Sequence, residues 1–204
     1  MIVIGLTGGI LTGKSTVSEI LARRGAVIID ADKIGHKAYR PQTKVWRVVV
    51  DAFGSGILTE SGEIDRKKLG EIVFNDPEAL ARLNGIMHPA MHSMMKEEIE
   101  RLRSEGVDVV VLEAAVLIEA NWIDLVDEVW VTVAPEETAV KRLQDRGGLS
   151  EEQARARIRS QLSSEERAKH ADVIIDTNCD LAEVKAKVEG LWCRLQAQRK
   201  EGKQ

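Results

Sequence analysis

Short, unbroken apolar runs separated by helical stretches set the layout of this chain. Ile2-Val3-Ile4, Ala26-Val27-Ile28-Ile29, Val107 to Leu112, Val129-Trp130-Val131-Thr132-Val133 and Val173-Ile174-Ile175 are rich in β-branched residues and show little polar alternation. Such runs are strands buried on both faces, as in a parallel sheet covered by helices. Between them the apolar spacing turns helical, as at Val17, Ile20 and Leu21 before the stop at Gly25. The pattern predicts an α/β fold with about five parallel strands.

Two stretches exceed what a simple crossover needs. Residues 36–105 read mostly as helix, punctuated at Ser55-Gly56, Ser61-Gly62 and Asp76-Pro77, and predict a helical subdomain beside the sheet. Residues 141–169 form a second insertion. Its helix opens with a capping box, Ser150 with Gln153, and carries the narrow apolar stripe Ala154, Ile158 and Leu162. The core then comprises about 1–35, 106–140 and 170–198, a single domain overall. A last helix, capped by Asp180 with Glu183 three residues on, has its apolar side at Leu181, Val184, Val188, Leu191 and Leu195, and the tail from Arg199 to Gln204 is expected to fray.

One motif turns this layout towards chemistry. Gly8-Gly9-Ile10-Leu11-Thr12-Gly13-Lys14-Ser15 follows the first apolar run and precedes the helix that starts near Thr16, and it fits the P-loop pattern G-x-x-x-x-G-K-[ST]. Strand, glycine loop and helix N-terminus point backbone N–H groups at one spot where the helix dipole also favours negative charge. The loop residues Gly8 to Thr16 are therefore candidates for binding a nucleotide triphosphate, with Lys14 on the β- and γ-phosphates and the Ser15 hydroxyl on Mg²⁺.

Composition adds mainly exclusions. Among 204 residues the formal net charge is −4, and aromatics make up 3% and lie scattered, so neither an electrostatic footprint nor a stacking array for nucleic acid is present. No apolar stretch reaches membrane-spanning length, and the N-terminus enters the first strand without a signal-like segment. Cys179 and Cys193 lack a C-x-x-C spacing and read as unpaired thiols. A cytoplasmic protein, monomeric or weakly self-associating, is expected.

In open parallel sheets ligands collect at the carboxyl ends of the strands. Asp30 and Asp32 follow the second apolar run and Glu113 follows the third. One of the aspartates can cap the helix from Lys33 onward, and the other can act as base towards an acceptor hydroxyl, a role for which Asp32 is preferred. Glu113 stands where a carboxylate could hold Mg²⁺ through water. His88 and His92 are spaced like a metal pair, but Pro89 is expected to open a helix there and leave His88 outside as its cap, which makes substrate contact or a structural turn the two roles open to His88. Arg142, Arg146, Arg155, Arg157, Arg159 and Arg167 crowd the second insertion. Most read as a solvated face laced with glutamates. Arg142 and Arg146, beside the turn Gly147-Gly148, suit a hinged lid over triphosphate. A switch reading is open as well, because Asp32-Lys33-Ile34-Gly35 fits D-x-x-G, although no N-K-x-D motif accompanies it.

These residues resemble the dephospho-coenzyme A kinase family. The likeness lies in Ile4 to Gly9 followed by Gly13 to Thr16, in Ile29-Asp30-Ala31-Asp32, in Met87-His88-Pro89, in Arg142 and Arg146, in Arg157 with Gln161, and in Ala171 to Ile175. It covers almost the whole chain, and Val111 to Ala120 with Trp122 looks more like the kinase half of the animal bifunctional coenzyme A synthase than like the usual bacterial form. Leu11 and Thr12 stand where the family usually has glycine and serine, and Glu113 where it usually has aspartate; no needed functional group is lost. The resemblance implies a P-loop NTPase fold of the nucleotide-kinase type with a helical substrate subdomain and a lid. It implies transfer of the ATP γ-phosphate to the ribose 3′-hydroxyl of dephospho-coenzyme A with Mg²⁺. Asp32 would activate that hydroxyl, the 36–105 region with His88, together with Glu113, would hold the acceptor, and Arg142 and Arg146 would close on the phosphates. Another small-molecule or nucleotide kinase of the same class is the alternative.

Overall fold

A computed structural model describes the backbone of residues 1–201 and the side chains of residues 1–197. Five strands form one parallel sheet in the order β2-β3-β1-β4-β5, with β1 at Ile2–Gly8, β2 at Val27–Asp30, β3 at Val109–Glu113, β4 at Glu128–Val133 and β5 at Val173–Asp176. The central strand β1 pairs Ile4 with Val111 on one side and with Glu128 on the other. Each strand coincides with an expected apolar run, with ends shifted by at most two residues except at β1, which runs four residues beyond Ile4 to Gly8. Strands with neighbours on both edges and helices on both faces have no wet side, which is why β3 is buried from Val109 to Leu112.

Helix α1, Lys14–Arg23, packs Val17, Ile20 and Leu21 into the same apolar cluster as Ile4, Leu6, Val111 and Trp130. Helix α9, Leu181–Glu201, adds Val184, Val188 and Leu195 to it. Its start is capped as expected, the Glu183 N–H donating to Asp180 Oδ1 at 2.8 Å, but Leu181 lies 65% exposed and does not join the apolar side. A first-turn residue next to the cap faces outward here. The helix continues to Glu201 where the sequence suggested fraying from Arg199, and residues 202–204 lie outside those described.

The chain separates into two compact units, one made of Met1–Ile29 and the chain from Leu102 onward, the other of Asp30–Arg101. The second unit holds α2 (Ala31–Ala38), α3 (Lys44–Phe53), α4 (Arg66–Val73) and most of α5 (Pro77–Ser104). Its own core gathers Ala38, Val49, Ile57, Leu69, Val73 and Met87. Thr43, Asp65 and Asp76 cap the helices that follow them. Pro89 does not open a helix, contrary to expectation: α5 runs through it for 28 residues, and His88 is an interior helical residue, not a cap. Proline removes one N–H and crowds the carbonyl four residues back. Burial of Met87, Met95 and Ile99 on either side of Pro89 offsets that cost.

In the first unit α6 (Glu136–Gly147), α7 (Glu151–Arg159) and α8 (Ser164–Ala168) cover the expected second insertion. Both halves of the Ser150–Gln153 capping box form. Ala154 and Ile158 pack with Val140 and Leu143, whereas Leu162 falls beyond the end of α7 and outside the apolar cluster. Gly5 shows how tightly β1 is seated: a Cβ there would lie 2.6 Å from Leu117 Cδ2 and within 3.2 Å of Val126. We expect Gly5→Ala to lower the unfolding free energy by about 1–3 kcal/mol through overpacking, as read by urea denaturation; an unchanged midpoint would show that the Leu117 side chain yields freely.

Candidate active site

The loop from Gly8 to Lys14 joins β1 to α1, and its shape is set by two glycines. Gly13 is the N-cap of α1 with φ 89° and ψ 15°, a left-handed conformation, and a Cβ there would meet Thr177 at 3.0–3.2 Å. A Cβ on Gly8 would lie 2.2 Å from Thr132 Oγ1. The backbone can therefore lie directly against the ends of β4 and β5. Thr12 donates its hydroxyl to the Gly9 carbonyl at 2.8 Å and shares a 2.8 Å hydrogen bond with the Thr132 hydroxyl. Lys14 Nζ donates to the Gly8 carbonyl at 3.0 Å and lies 3.4 Å from that of Gly9. An ammonium folded over the loop is where phosphate oxygens would exchange for carbonyls.

Leu11 also has a positive φ, 55°. A branched side chain in this region costs about 1–2 kcal/mol, and Leu11 offsets it by packing, with Ile10, against Val140, Leu143, Leu149, Ala154 and Ile158. Thr177 closes the loop from the far side. Its hydroxyl donates to the Thr12 carbonyl at 2.9 Å. Arg142 donates to the Leu11 carbonyl at 3.0 Å, to the Thr177 carbonyl at 2.9 Å and to Thr177 Oγ1 at 3.3 Å. Its guanidinium is held against the loop, in contrast to the hinged side chain that the sequence suggested. Arg146 is exposed on the last turn of α6.

Glu113 ends β3, and its Oε1 accepts from the Ser15 hydroxyl at 3.4 Å. A hydroxyl and a carboxylate side by side at the mouth of the loop are hard oxygen donors of the kind Mg²⁺ takes, with its remaining positions filled by water and phosphate. The residues present thus fit that ion. His88 and His92 belong to no group of three or more His, Cys, Asp or Glu side chains able to hold a metal among the described residues.

The other predicted residues belong to the second unit. Asp30 caps α2, its Oδ1 accepting the Lys33 N–H at 3.1 Å, so the capping role falls to Asp30. Asp32 is exposed in the first turn of that helix. Tyr39 lies near it: burial raises the phenol above its ordinary range, Arg66 opposes the shift, and the Asp32 carboxylate adds to it. His88 is half-buried, and burial lowers its pKa below the ordinary 6.5, so the ring is neutral at physiological pH.

Thr132, Thr177, Gln161, Arg167 and Glu119 escape residue-by-residue reading. Thr177 follows the carboxyl end of β5, where polar residues warrant suspicion in such sheets. Gln161 carried a family likeness but no role. Arg167 looked like one solvated arginine among six, as Arg155 indeed is with Glu136, Glu137 and Glu151. Arg167 is instead 1% exposed. It donates to Glu119 Oε1 at 2.6 Å, the Ala115 carbonyl at 3.0 Å, the Leu162 carbonyl at 3.2 Å and Thr7 Oγ1 at 3.4 Å, which ties α8 to the strand that leads into the phosphate loop.

A parallel sheet in this order, a glycine loop wrapped over a helix N-terminus, and a lysine and paired oxygen ligands beside it define a P-loop kinase. The profile of the family described as Dephospho-CoA kinase matches residues 2–183. A dephospho-CoA kinase of Geobacter sulfurreducens is 47% identical over 194 residues, covering 95% of this chain and 98% of that one. Its counterpart from Carboxydothermus hydrogenoformans is 49% identical over 176 residues, 86% and 85% of the two chains. The solved dephospho-CoA kinase of Campylobacter jejuni superposes with a TM-score of 0.74 at 32% identity, covering 97% of this chain and 98% of that one. The chain belongs to the dephospho-CoA kinase family.

The Arg167–Glu119 pair yields a stability prediction. Glu119→Ala leaves a buried guanidinium with neutral acceptors only, and the loss should fall near the lower end of the roughly 3–5 kcal/mol typical of breaking buried pairs, since the Glu119 side chain keeps 30% exposure. Urea denaturation measures it; a loss below about 1 kcal/mol would class the pair with surface ion pairs.

Proposed function

We infer that this chain transfers the γ-phosphoryl group of ATP to the ribose 3′-hydroxyl of dephospho-coenzyme A, giving coenzyme A and ADP. The observation that carries the reading is a complete phosphate loop, shaped by Gly8 and Gly13 and buttressed by Thr132, Thr177 and Arg142, in a chain that belongs to the dephospho-CoA kinase family over residues 2–183. Phosphoryl transfer needs little covalent chemistry from a protein. It needs an aligned donor and acceptor, positive charge around the moving group, and exclusion of water.

Each requirement has residues to meet it. The loop's backbone N–H groups other than that of Ile10, which Gln161 holds, and the N-terminus of α1 bind the β- and γ-phosphates. Lys14 leaves the Gly8 and Gly9 carbonyls for phosphate oxygens. Arg142 adds fixed positive charge at the loop, and Arg146 is the arginine able to approach from the 141–169 segment, which acts as a lid. Ser15 and Glu113 would hold Mg²⁺, which would supply positive charge to offset the charge that develops on the transferring group. Asp32 accepts the proton of the acceptor hydroxyl, and the helical 36–105 region with His88 holds the acceptor. ATP and this acceptor are soluble metabolites, in keeping with a cytoplasmic enzyme, and no described helix is long and apolar enough to cross a membrane.

ADP release by the purified protein with ATP and Mg²⁺, with and without dephospho-coenzyme A, tests the reading, the product being checked by mass. Strong stimulation with coenzyme A formed is expected; a folded, ATP-binding protein that dephospho-coenzyme A does not stimulate would point to another acceptor or to a nucleotide switch. Within the same assay Asp32→Asn should lower kcat by about 10²–10⁴-fold, the range of general-base catalysis. Asp30→Asn should keep most activity, because asparagine caps helices as well as aspartate does. Equal activities for the two variants would remove Asp32 from the mechanism.

A further inference from the structure

The turn between α7 and α8 sends a side chain to the phosphate loop. Gln161 Oε1 accepts the Ile10 N–H at 2.9 Å, and it lies 3.8 Å from where a Cβ on Gly9 would stand. A backbone N–H can be met only by the oxygen of a carboxamide, so this bond fixes which way round the amide lies. Its Nε2, on the same carbon, carries two donors and has no hydrogen-bond acceptor among the described residues. An uncommitted donor pair thus lies beside a loop built to gather anionic oxygens.

The position is held from both sides. Before Gln161, Ile158 packs on the same Val140, Leu143 and Ala154 cluster as Ile10 and Leu11. After it, the Leu162 carbonyl accepts from Arg167 Nε at 3.2 Å, and the same guanidinium is anchored on Ala115 and Glu119. A side chain fixed in this way acts as a preorganised donor, the arrangement that contributes most where charge develops in a transition state.

We propose that Gln161 is a further residue of the phosphate site, clasping the Ile10 N–H with its oxygen and donating from Nε2 to the terminal phosphoryl group of ATP. The proposal rests on the reading of the chain as an ATP-dependent kinase and adds to it a side chain that senses the γ-phosphate. Ile10 belongs to the first half of the loop, away from the Lys14-Ser15-Thr16 turn of α1, so Gln161 distinguishes triphosphate from diphosphate where the helix N-terminus binds both.

Gln161→Glu separates the two arms of the amide. Glutamate keeps an oxygen for the Ile10 N–H and exchanges the donor for negative charge. Titration calorimetry with ADP and with a non-hydrolysable ATP analogue, each with Mg²⁺, reads the difference. Affinity for the analogue should fall by at least about tenfold with ADP affinity nearly unchanged, and kcat should fall by about a hundredfold, as for loss of one preorganised donor. Gln161→Met, which has neither donor nor acceptor, should also lose the preference for the analogue and provides the readout should the glutamate variant fold poorly. Unchanged binding of both nucleotides, or an equal loss of both, would overturn the proposal, the second result making Gln161 a support for the loop and nothing more. The titrations contain no acceptor, so a parent protein that dephospho-coenzyme A fails to stimulate would sink the acceptor assignment and leave this test intact.

Discussion

The left-handed backbone at Gly13 is the constraint around which the phosphate site is assembled. It lets the chain leave β1, fold back on itself and enter α1 with its first N–H groups converging, a turn that a residue with a Cβ would make only against Thr177 at 3.0–3.2 Å. That closeness has a purpose beyond space. Thr177 donates to the Thr12 carbonyl and accepts from Arg142, so the end of β5 and helix α6 both hold the loop from behind, leaving its front to the nucleotide. A loop whose carbonyls are occupied from outside keeps most of its N–H groups for anions, that of Ile10 being taken by Gln161, which is the electrostatic condition for binding phosphate.

Leu11 shows the same loop from the side of packing. Its positive φ is unfavourable for a branched side chain, and it persists because Leu11 and Ile10 complete the apolar cluster of α6 and α7. The phosphate loop and the α6–α7 segment therefore share one small core.

What the sequence reveals and what it hides divide along sequence separation. Strands and caps are legible because they are local: Val129 to Thr132 is a continuous buried run, and Asp180 with Glu183 or Ser150 with Gln153 announces a helix start within four residues. The phosphate loop is legible for the same reason, eight consecutive residues in a strand-to-helix setting. Arg167 is not, because nothing near it differs from Arg155 or Arg159, and its burial comes from Thr7, Ala115 and Glu119, between 48 and 160 positions away. Gln161 meets Ile10 across 151 positions. Pro89 misleads in the opposite direction, since a strong local rule is overridden by the burial of neighbouring methionines in α5.

Asp30 and Asp32 show how one short segment separates structure from chemistry. Asp30 ends β2 and Asp32 follows it, and composition alone cannot tell them apart. The helix does so through geometry: a residue that caps with its side chain typically sits in extended backbone, and Asp30 has φ −93° and ψ 109° with its oxygen on the Lys33 N–H. Asp32, already inside the first turn, is barred from that bond and remains exposed. The cap at Asp30 thus fixes the start of α2 and leaves the Asp32 side chain exposed and outside the capping bond, a division between two identical side chains that the spacing D-x-D makes possible.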